Sequence, residues 1–331
     1  MLRIGLLGCG RIGQVHAASL ARISGAVVHA VADAVPATAR ALAAEYAVEP
    51  RSADAILSAG DIDAVIIGTP TDTHFELIHG AARAGKAIFC EKPIDMSVDN
   101  IRACIDVVEA TGVPFFTGFN RRFDPNFAAL QARIAAGEIG AVELLTITSR
   151  DPAPPPIAYI SRSGGLFRDM MIHDFDMARF LIGEAFVRLH AVGAALIDPE
   201  IGAAGDVDTA AVLLTTETGR ICQISNSRRA RYGYDQRIEA HGANGMLRAE
   251  NQLETTVEIA TGAGFARAPA QHFFLERYEA AYLAEIQAFV AAVTQGVPPN
   301  PGIRDGLAAQ ILADAAAASL ASGLPVDLPE A

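Results

Sequence analysis

Hydrophobic and polar positions follow two periods in turn along this chain. Between residues 2 and 119, short apolar runs rich in β-branched residues read LRIGLLG (2–8), VVHAVAD (27–33), AVIIGT (64–69), AIFCE (87–91) and PFFTGF (114–119). Helical patterns separate them at 35–46, 72–85 and 97–112. Apolar runs without alternation belong to strands buried on both faces, so the pattern predicts a doubly wound parallel sheet with helices on either side.

Beyond residue 119 the pattern changes. A helix is expected over 125–137, a strand over 141–150, then a proline-rich DPAPPP segment (151–156). Long β-rich runs follow at 186–196, 209–227 and 236–250, with turn signals at Glu217-Thr218-Gly219 and Ala243-Asn244-Gly245. They predict a large, mostly antiparallel sheet. Two helices, 274–296 and 303–322, end the chain, separated by the breaker Gly296-Val297-Pro298-Pro299. The expected organisation is an α/β domain over 1–119 and an α+β domain over 120–331. Within the second lies GGLFRDMMIHDFDMARFL (164–181), which reads as one helix. Its Asp169, His173 and Asp176 are four and then three residues apart, which places them on one helical face. Such a face is either solvated or a place where protons are handled.

Composition narrows the choice. Of the 331 residues, 51% are hydrophobic and 19% charged, enough for two cores and too apolar for disorder. The formal net charge of −12 argues against nucleic acid, whose phosphates need a basic surface. No apolar run is long enough to span a membrane. The N-terminal MLRIGLLGCGRIG leads straight into a glycine motif and reads as a buried strand rather than a signal peptide. Cys9, Cys90, Cys104 and Cys222 are scattered, as in a cytoplasmic protein with reduced thiols. No metal site is expected, since neither a cysteine cluster nor an H-E-x-x-H spacing occurs.

Chemistry begins at the first turn. Gly8, Gly10 and Gly13, enclosing Arg11 and Ile12, form G-x-G-x-x-G between a strand and a helix. The first glycine permits a tight turn, the second lets backbone approach a pyrophosphate, and the third allows close helix–strand packing, the Rossmann fingerprint. Asp33, twenty residues after Gly13, is placed to bond the ribose hydroxyls of NAD. With Ala34, Val35 and Pro36 beside it there is no cation for a 2′-phosphate, so NAD is expected over NADP. At the next strand ends, Thr69, Pro70, Thr71 and His74 in GTPTDTH (68–74), and Glu91 and Lys92 in CEKPI (90–94), fall where ligands collect in such sheets. Thr71 and Asp72 serve equally well as helix caps.

GCGRIG, Glu91-Lys92-Pro93 and Asp169-x-x-x-His173 together resemble the glucose–fructose oxidoreductase / inositol dehydrogenase superfamily. FNRRFDPNF (119–127), GDVDTA (205–210) and SRRARYGYDQR (227–237) carry the likeness towards bacterial inositol 2-dehydrogenases. The resemblance implies NAD-dependent oxidation of a secondary alcohol on a cyclic polyol, with myo-inositol giving 2-keto-myo-inositol (scyllo-inosose). It implies Lys92, Asp169 and His173 as the catalytic group, with His173 taking the hydroxyl proton. It also implies substrate contacts from Arg122 (or Arg121), Asp176 and Tyr232 (or Tyr234), and a homo-oligomer, a tetramer in this family. The alternatives are another inositol isomer, a sugar such as glucose, and a regulator that binds sugar and dinucleotide without turnover.

Overall fold

In the computed structural model, which describes residues 1–329, the chain divides into two compact units. The first comprises Met1–Phe123 and 280–310; the second comprises 124–279 and the described residues from Ile311.

Six parallel strands form the first unit's sheet: β1 (Leu2–Leu7), β2 (Ala26–Ala32), β3 (Glu49–Pro50), β4 (Ala64–Ile67), β5 (Ala87–Glu91) and β6 (Phe115–Gly118). Their spatial order is β3-β2-β1-β4-β5-β6, so the chain reverses direction across the sheet between β1 and β4. The connecting helices are α1 (Arg11–Leu20), α2 (Pro36–Tyr46), α3 (Ala53–Ser58), α4 (His74–Arg83) and α5 (Val98–Thr111). Successive strand residues point to opposite faces: Leu6 joins the apolar cluster on one side and Leu7 that on the other. Double-sided burial is why these strands read as unbroken apolar runs. The expected strands and helices are all present, with β3 and α3 in addition.

In the second unit, α6 (Pro125–Ala135) leads into β7 (Val142–Arg150). Then come α7 (Ile157–Ser163), α8 (Gly165–Asp169), α9 (Ile172–Ile182), β8 (Phe186–Ala194), α10 (Pro199–Ala203), β9 (Thr209–Thr216) and β10 (Ile221–Ser227). The elements β11 (Asp235–Gly242), β12 (Gly245–Ala249), β13 (Glu258–Thr261), β14 (Gly264–Arg267) and α11 (Phe274–Arg277) follow. The chain ends in α12 (Glu279–Gln295), α13 (Ile303–Ser322) and β15 (Val326–Asp327). Seven strands make a sheet in the order β12-β11-β7-β10-β9-β8-β15, antiparallel except for the β7–β10 pair. The expected turns fall between β9 and β10, where Gly219 has φ +88°, and between β11 and β12.

Two expectations change. A linear division at residue 119 leaves out a return of the chain: Ile286, Phe289 and Val290 of α12 lie in the same apolar cluster as Leu6, Phe89 and Phe116 of the first sheet. The helix expected over 164–181 is two helices. Met170 N–H and Met171 N–H both bond the carbonyl of Leu166, the second a wide turn that resets the helical phase before α9. Asp169 therefore ends α8, while His173 and Asp176 belong to α9.

Candidate active site

The first turn is built around three glycines with different surroundings. A Cβ on Gly8 would lie 2.5 Å from the Gly68 carbonyl oxygen, and one on Gly13 would lie 2.0 Å from that of Gly8. These two positions admit nothing but glycine. At Gly10 a Cβ would meet nothing within 4 Å, so this stretch of backbone is open to approach. Gly10 caps α1 without a side-chain bond, which leaves the first N–H groups of the helix available to an anion. Asp33 follows β2, its Oδ2 accepting from Cys9 N–H (2.8 Å) and its Oδ1 from Val35 N–H (2.7 Å). Each oxygen keeps a second lone pair for a ribose hydroxyl. An open glycine, an uncapped helix start and a fixed carboxylate together fit a dinucleotide. Arg11 is exposed and Ile12 half-buried at the same helix start.

Thr69, Pro70 and Thr71 follow β4 at the surface, with Thr73 donating to Thr69 Oγ1 (2.7 Å). His74 lies beneath them, 1% exposed. Its Nε2 is 3.0 Å from the Thr69 carbonyl and its Nδ1 3.0 Å from that of Pro93. Burial holds its pKa below the ordinary imidazole value. The ring thus ties the loop after β4 to the loop after β5. Glu91 ends β5 with Oε1 2.7 Å from His16 Nε2, and Lys92 follows, half-buried, joined to Pro93 by a cis peptide. Arg122 is buried and donates to Asn300 Oδ1 (2.7 Å) and Asp305 Oδ1 (2.9 Å). Arg121 is buried as well, at 3% exposure. Both stand in the short turn Asn120–Phe123.

In the second unit Asp169 is gripped from two directions. Tyr159 on α7 donates its hydroxyl to Oδ1 (2.9 Å), and both terminal nitrogens of Arg228 lie 3.5 Å from Oδ2. Arg228 is 1% exposed and also faces Asp206 at 3.9 Å, a buried cation between two carboxylates. Sequence reasoning picked out neither Tyr159 nor Arg228 individually. Asp206 Oδ1 in turn accepts from Leu166 N–H (3.0 Å), which fixes the start of α8. His173 is partly buried, with Nδ1 in the interior. Asp176 is fully buried, as is Asp174, which accepts from Asn226 (2.9 Å). The polar residues of α9 are therefore mostly interior. Tyr232 is half-exposed; its hydroxyl donates to Asp235 (2.7 Å) and accepts from Arg150 (3.1 Å), while Tyr234 is buried. Among the described residues no group of three or more His, Cys, Asp or Glu could hold a metal ion, and no helix is long and apolar enough to cross a membrane.

Residues 2–119 match the model of an oxidoreductase family with an NAD-binding Rossmann fold, and residues 127–248 match that of the GFO/IDH/MocA C-terminal domain. The chain is 57% identical over 320 residues to an inositol 2-dehydrogenase of Rhizobium meliloti, with 97% of each chain covered. Among solved structures it superposes on a myo-inositol dehydrogenase from Corynebacterium glutamicum with a TM-score of 0.96, 44% identity and 100% of both chains covered. A scyllo-inositol dehydrogenase from Lactobacillus casei, with NAD(H) and scyllo-inositol bound, gives a TM-score of 0.92 at 31% identity, covering 99% of each chain.

Proposed function

The chain belongs to the GFO/IDH/MocA oxidoreductase family, and from that premise we propose that it oxidises myo-inositol to 2-keto-myo-inositol with NAD. The observation that carries the substrate is the 57% identity, end to end, with an inositol 2-dehydrogenase. NAD is the cofactor and the chemistry is that of an NAD-dependent oxidoreductase acting on a CH–OH group. When bound, NAD supplies the hydride acceptor.

The remaining work falls to side chains. His173 takes the hydroxyl proton at Nε2, a task suited to a group whose ordinary pKa is near neutrality. Asp169, held by Tyr159 and Arg228, offers a fixed negative charge that favours the imidazolium so formed. Lys92 presents positive charge where alkoxide character develops. Tyr232, Asp176 and one of Arg121 and Arg122 bind ring hydroxyls. In the first unit Gly8, Gly10, Arg11, Ile12, Gly13, Asp33, Thr69, Pro70, Thr71 and Glu91 serve the cofactor, directly or through backbone, with His74 beneath them. The four free, buried cysteines suit the reducing cytoplasm. We also assign the protein to a homotetramer in inositol catabolism, supported by an exposed apolar face on the second sheet.

The test is reduction of NAD, followed by absorbance, with myo-inositol, scyllo-inositol, other isomers and glucose in parallel. Turnover greatest with myo-inositol is expected. Preference for scyllo-inositol would move the assignment to the activity named for the Lactobacillus casei structure, and no turnover with any polyol would favour a regulator. Lys92→Ala and His173→Ala should each lower kcat by about a hundredfold or more while the affinity for NAD, measured by calorimetry, stays near the parent's.

A further inference from the structure

Asp169, the carboxylate assigned to the imidazolium, shares its counter-ion with a second carboxylate. Both terminal nitrogens of Arg228 lie 3.5 Å from Asp169 Oδ2, and one of them, Nη2, is also 3.9 Å from Asp206 Oδ2. The guanidinium is 1% exposed and the carboxylates of Asp169 and Asp206 are 15% and 11% exposed, so water does little to damp these charges. Among the described residues neither Nε of Arg228 nor Oδ2 of Asp206 has a hydrogen-bond partner. Between Arg228 and Asp206, charge therefore acts on charge rather than through a fitted bond. Arg168, the other cation on α8, is taken up by Asp314 (2.7 Å).

The chain makes room for Asp206 and fixes it. A Cβ on Gly165 would come within 2.7 Å of Asp206 Oδ1, and that oxygen accepts from Leu166 N–H (3.0 Å). Asp206 thus holds the start of α8, whose five residues end at Asp169. The backbone N–H of Arg228 donates to the carbonyl of Asp208, two residues along from Asp206 (2.8 Å). A guanidinium keeps its charge throughout the working range of a protein. Paired with Asp169 alone, it would cancel the negative charge that an imidazolium needs nearby. With Asp206 present, two carboxylates face one cation and one negative charge remains.

We propose that Asp206 is a positioning residue for Asp169: it offsets the charge of Arg228, so that the arginine holds Asp169 in place without neutralising it. This rests on the roles given above to Asp169 and His173. Asp206 itself touches neither substrate nor cofactor in this account; it acts through Arg228 and through the start of α8.

Removing one charge, and then both, decides the matter. Asp206→Asn keeps the shape of the side chain and an oxygen for Leu166 N–H, but not the charge. Its kcat should fall about tenfold, while KM for the polyol, NAD affinity by calorimetry and melting temperature stay near the parent's. Adding Arg228→Met removes the cation as well and leaves Asp169 its own charge, still held by the Tyr159 hydroxyl. The double variant should turn over about fivefold faster than Asp206→Asn alone, a coupling opposite in sign to simple addition of damage. A purely structural Asp206 would make the double variant the slower of the two. Parent-like kcat in Asp206→Asn, or a double variant no faster than the single one, would each overturn the proposal. Asp169→Asn, measured alongside, separates the two claims. Parent-like turnover there would refute the role of Asp169 itself, whereas slow turnover there beside a parent-like Asp206→Asn would refute only that of Asp206.

Discussion

Asp33 accepts from two backbone N–H groups, and the role proposed for it is to bond a ribose. Replacing it therefore has two consequences. Asp33→Ala with Ala34→Arg should move preference from NAD to NADP, because repulsion of a 2′-phosphate is exchanged for attraction. The same change leaves Cys9 N–H and Val35 N–H without their charged acceptor, at about 1–3 kcal/mol of stability, so melting temperature should fall as cofactor preference shifts. Unchanged NAD preference in kcat/KM would refute the role of Asp33. This residue and the three glycines were legible in the sequence because a tight turn at a strand end leaves few alternatives. Tyr159 and Arg228 were not. A buried arginine beside Asp169 is spelled like any surface arginine, and Arg229 next to it offers the same letter without the contact.

The same limit applies to elements, where local pattern competes with distant contacts. The stretch from Gly164 has an unbroken helical rhythm, yet it breaks after Asp169. Gly164 and Gly165 take positive φ, and a Cβ on Gly165 would come within 2.7 Å of Oδ1 of Asp206, a residue far along the chain. Nothing local announces that partner. Helix α6 starts on a capping residue with a second, distant duty. Asp124 accepts from Asn126 and Phe127 N–H (3.1 Å each) and pairs with buried Arg277, whose guanidinium lies 5.3 Å from the Phe127 ring and 4.8 Å from that of Tyr278. Asp124→Ala should cost about 3–5 kcal/mol, since it strands a buried cation as well as removing a cap; a loss under about 1 kcal/mol in denaturant melts would mean the cap alone matters. Asp208 is one carboxylate through which acid should act on the second unit. Burial by itself would raise its carboxyl pKa, but the N–H groups of Leu196, Ile197 and Asp198 and the Thr209 hydroxyl hold it below the usual value. A pKa lower in the folded than in the unfolded state adds stability above the unfolded value and loses it as pH falls through the folded one. Asp208→Asn should accordingly lower the melting temperature at neutral pH and flatten its decline in acid. Parallel curves for parent and variant would show that Asp208 is not the group titrating.

For the molecule as a whole, the alternation of periods foretold two different sheets, but not the return of α12 and the start of α13 to the first unit. What a sequence does not display is which sheet face is left bare. In the second unit, α9 packs on one face, where Asn226 reaches Asp174 and Cys222 and Ile224 are buried. Strand register places Leu144, Ile221, Leu213, Val192 and Met246 on the opposite face of β7, β10, β9, β8 and β12. Each is between 41% and 55% exposed. Single exposed apolar residues are ordinary, but a row across neighbouring strands of one sheet is not. A second copy of the same chain is the occupant the homo-oligomer proposal names, and a two-fold contact would set this face against itself. Leu213→Glu with Ile221→Glu would then bring like charges together in a desolvated interface, at several kcal/mol for each carboxylate left without a partner. Light scattering on the eluting protein should show the parent as a multiple of the chain mass and the double variant as a smaller species. Circular dichroism should be unchanged, since both positions face away from the helix-covered side of the sheet. A parent that elutes as a monomer, or a variant of unchanged mass, would leave this face without its assigned partner.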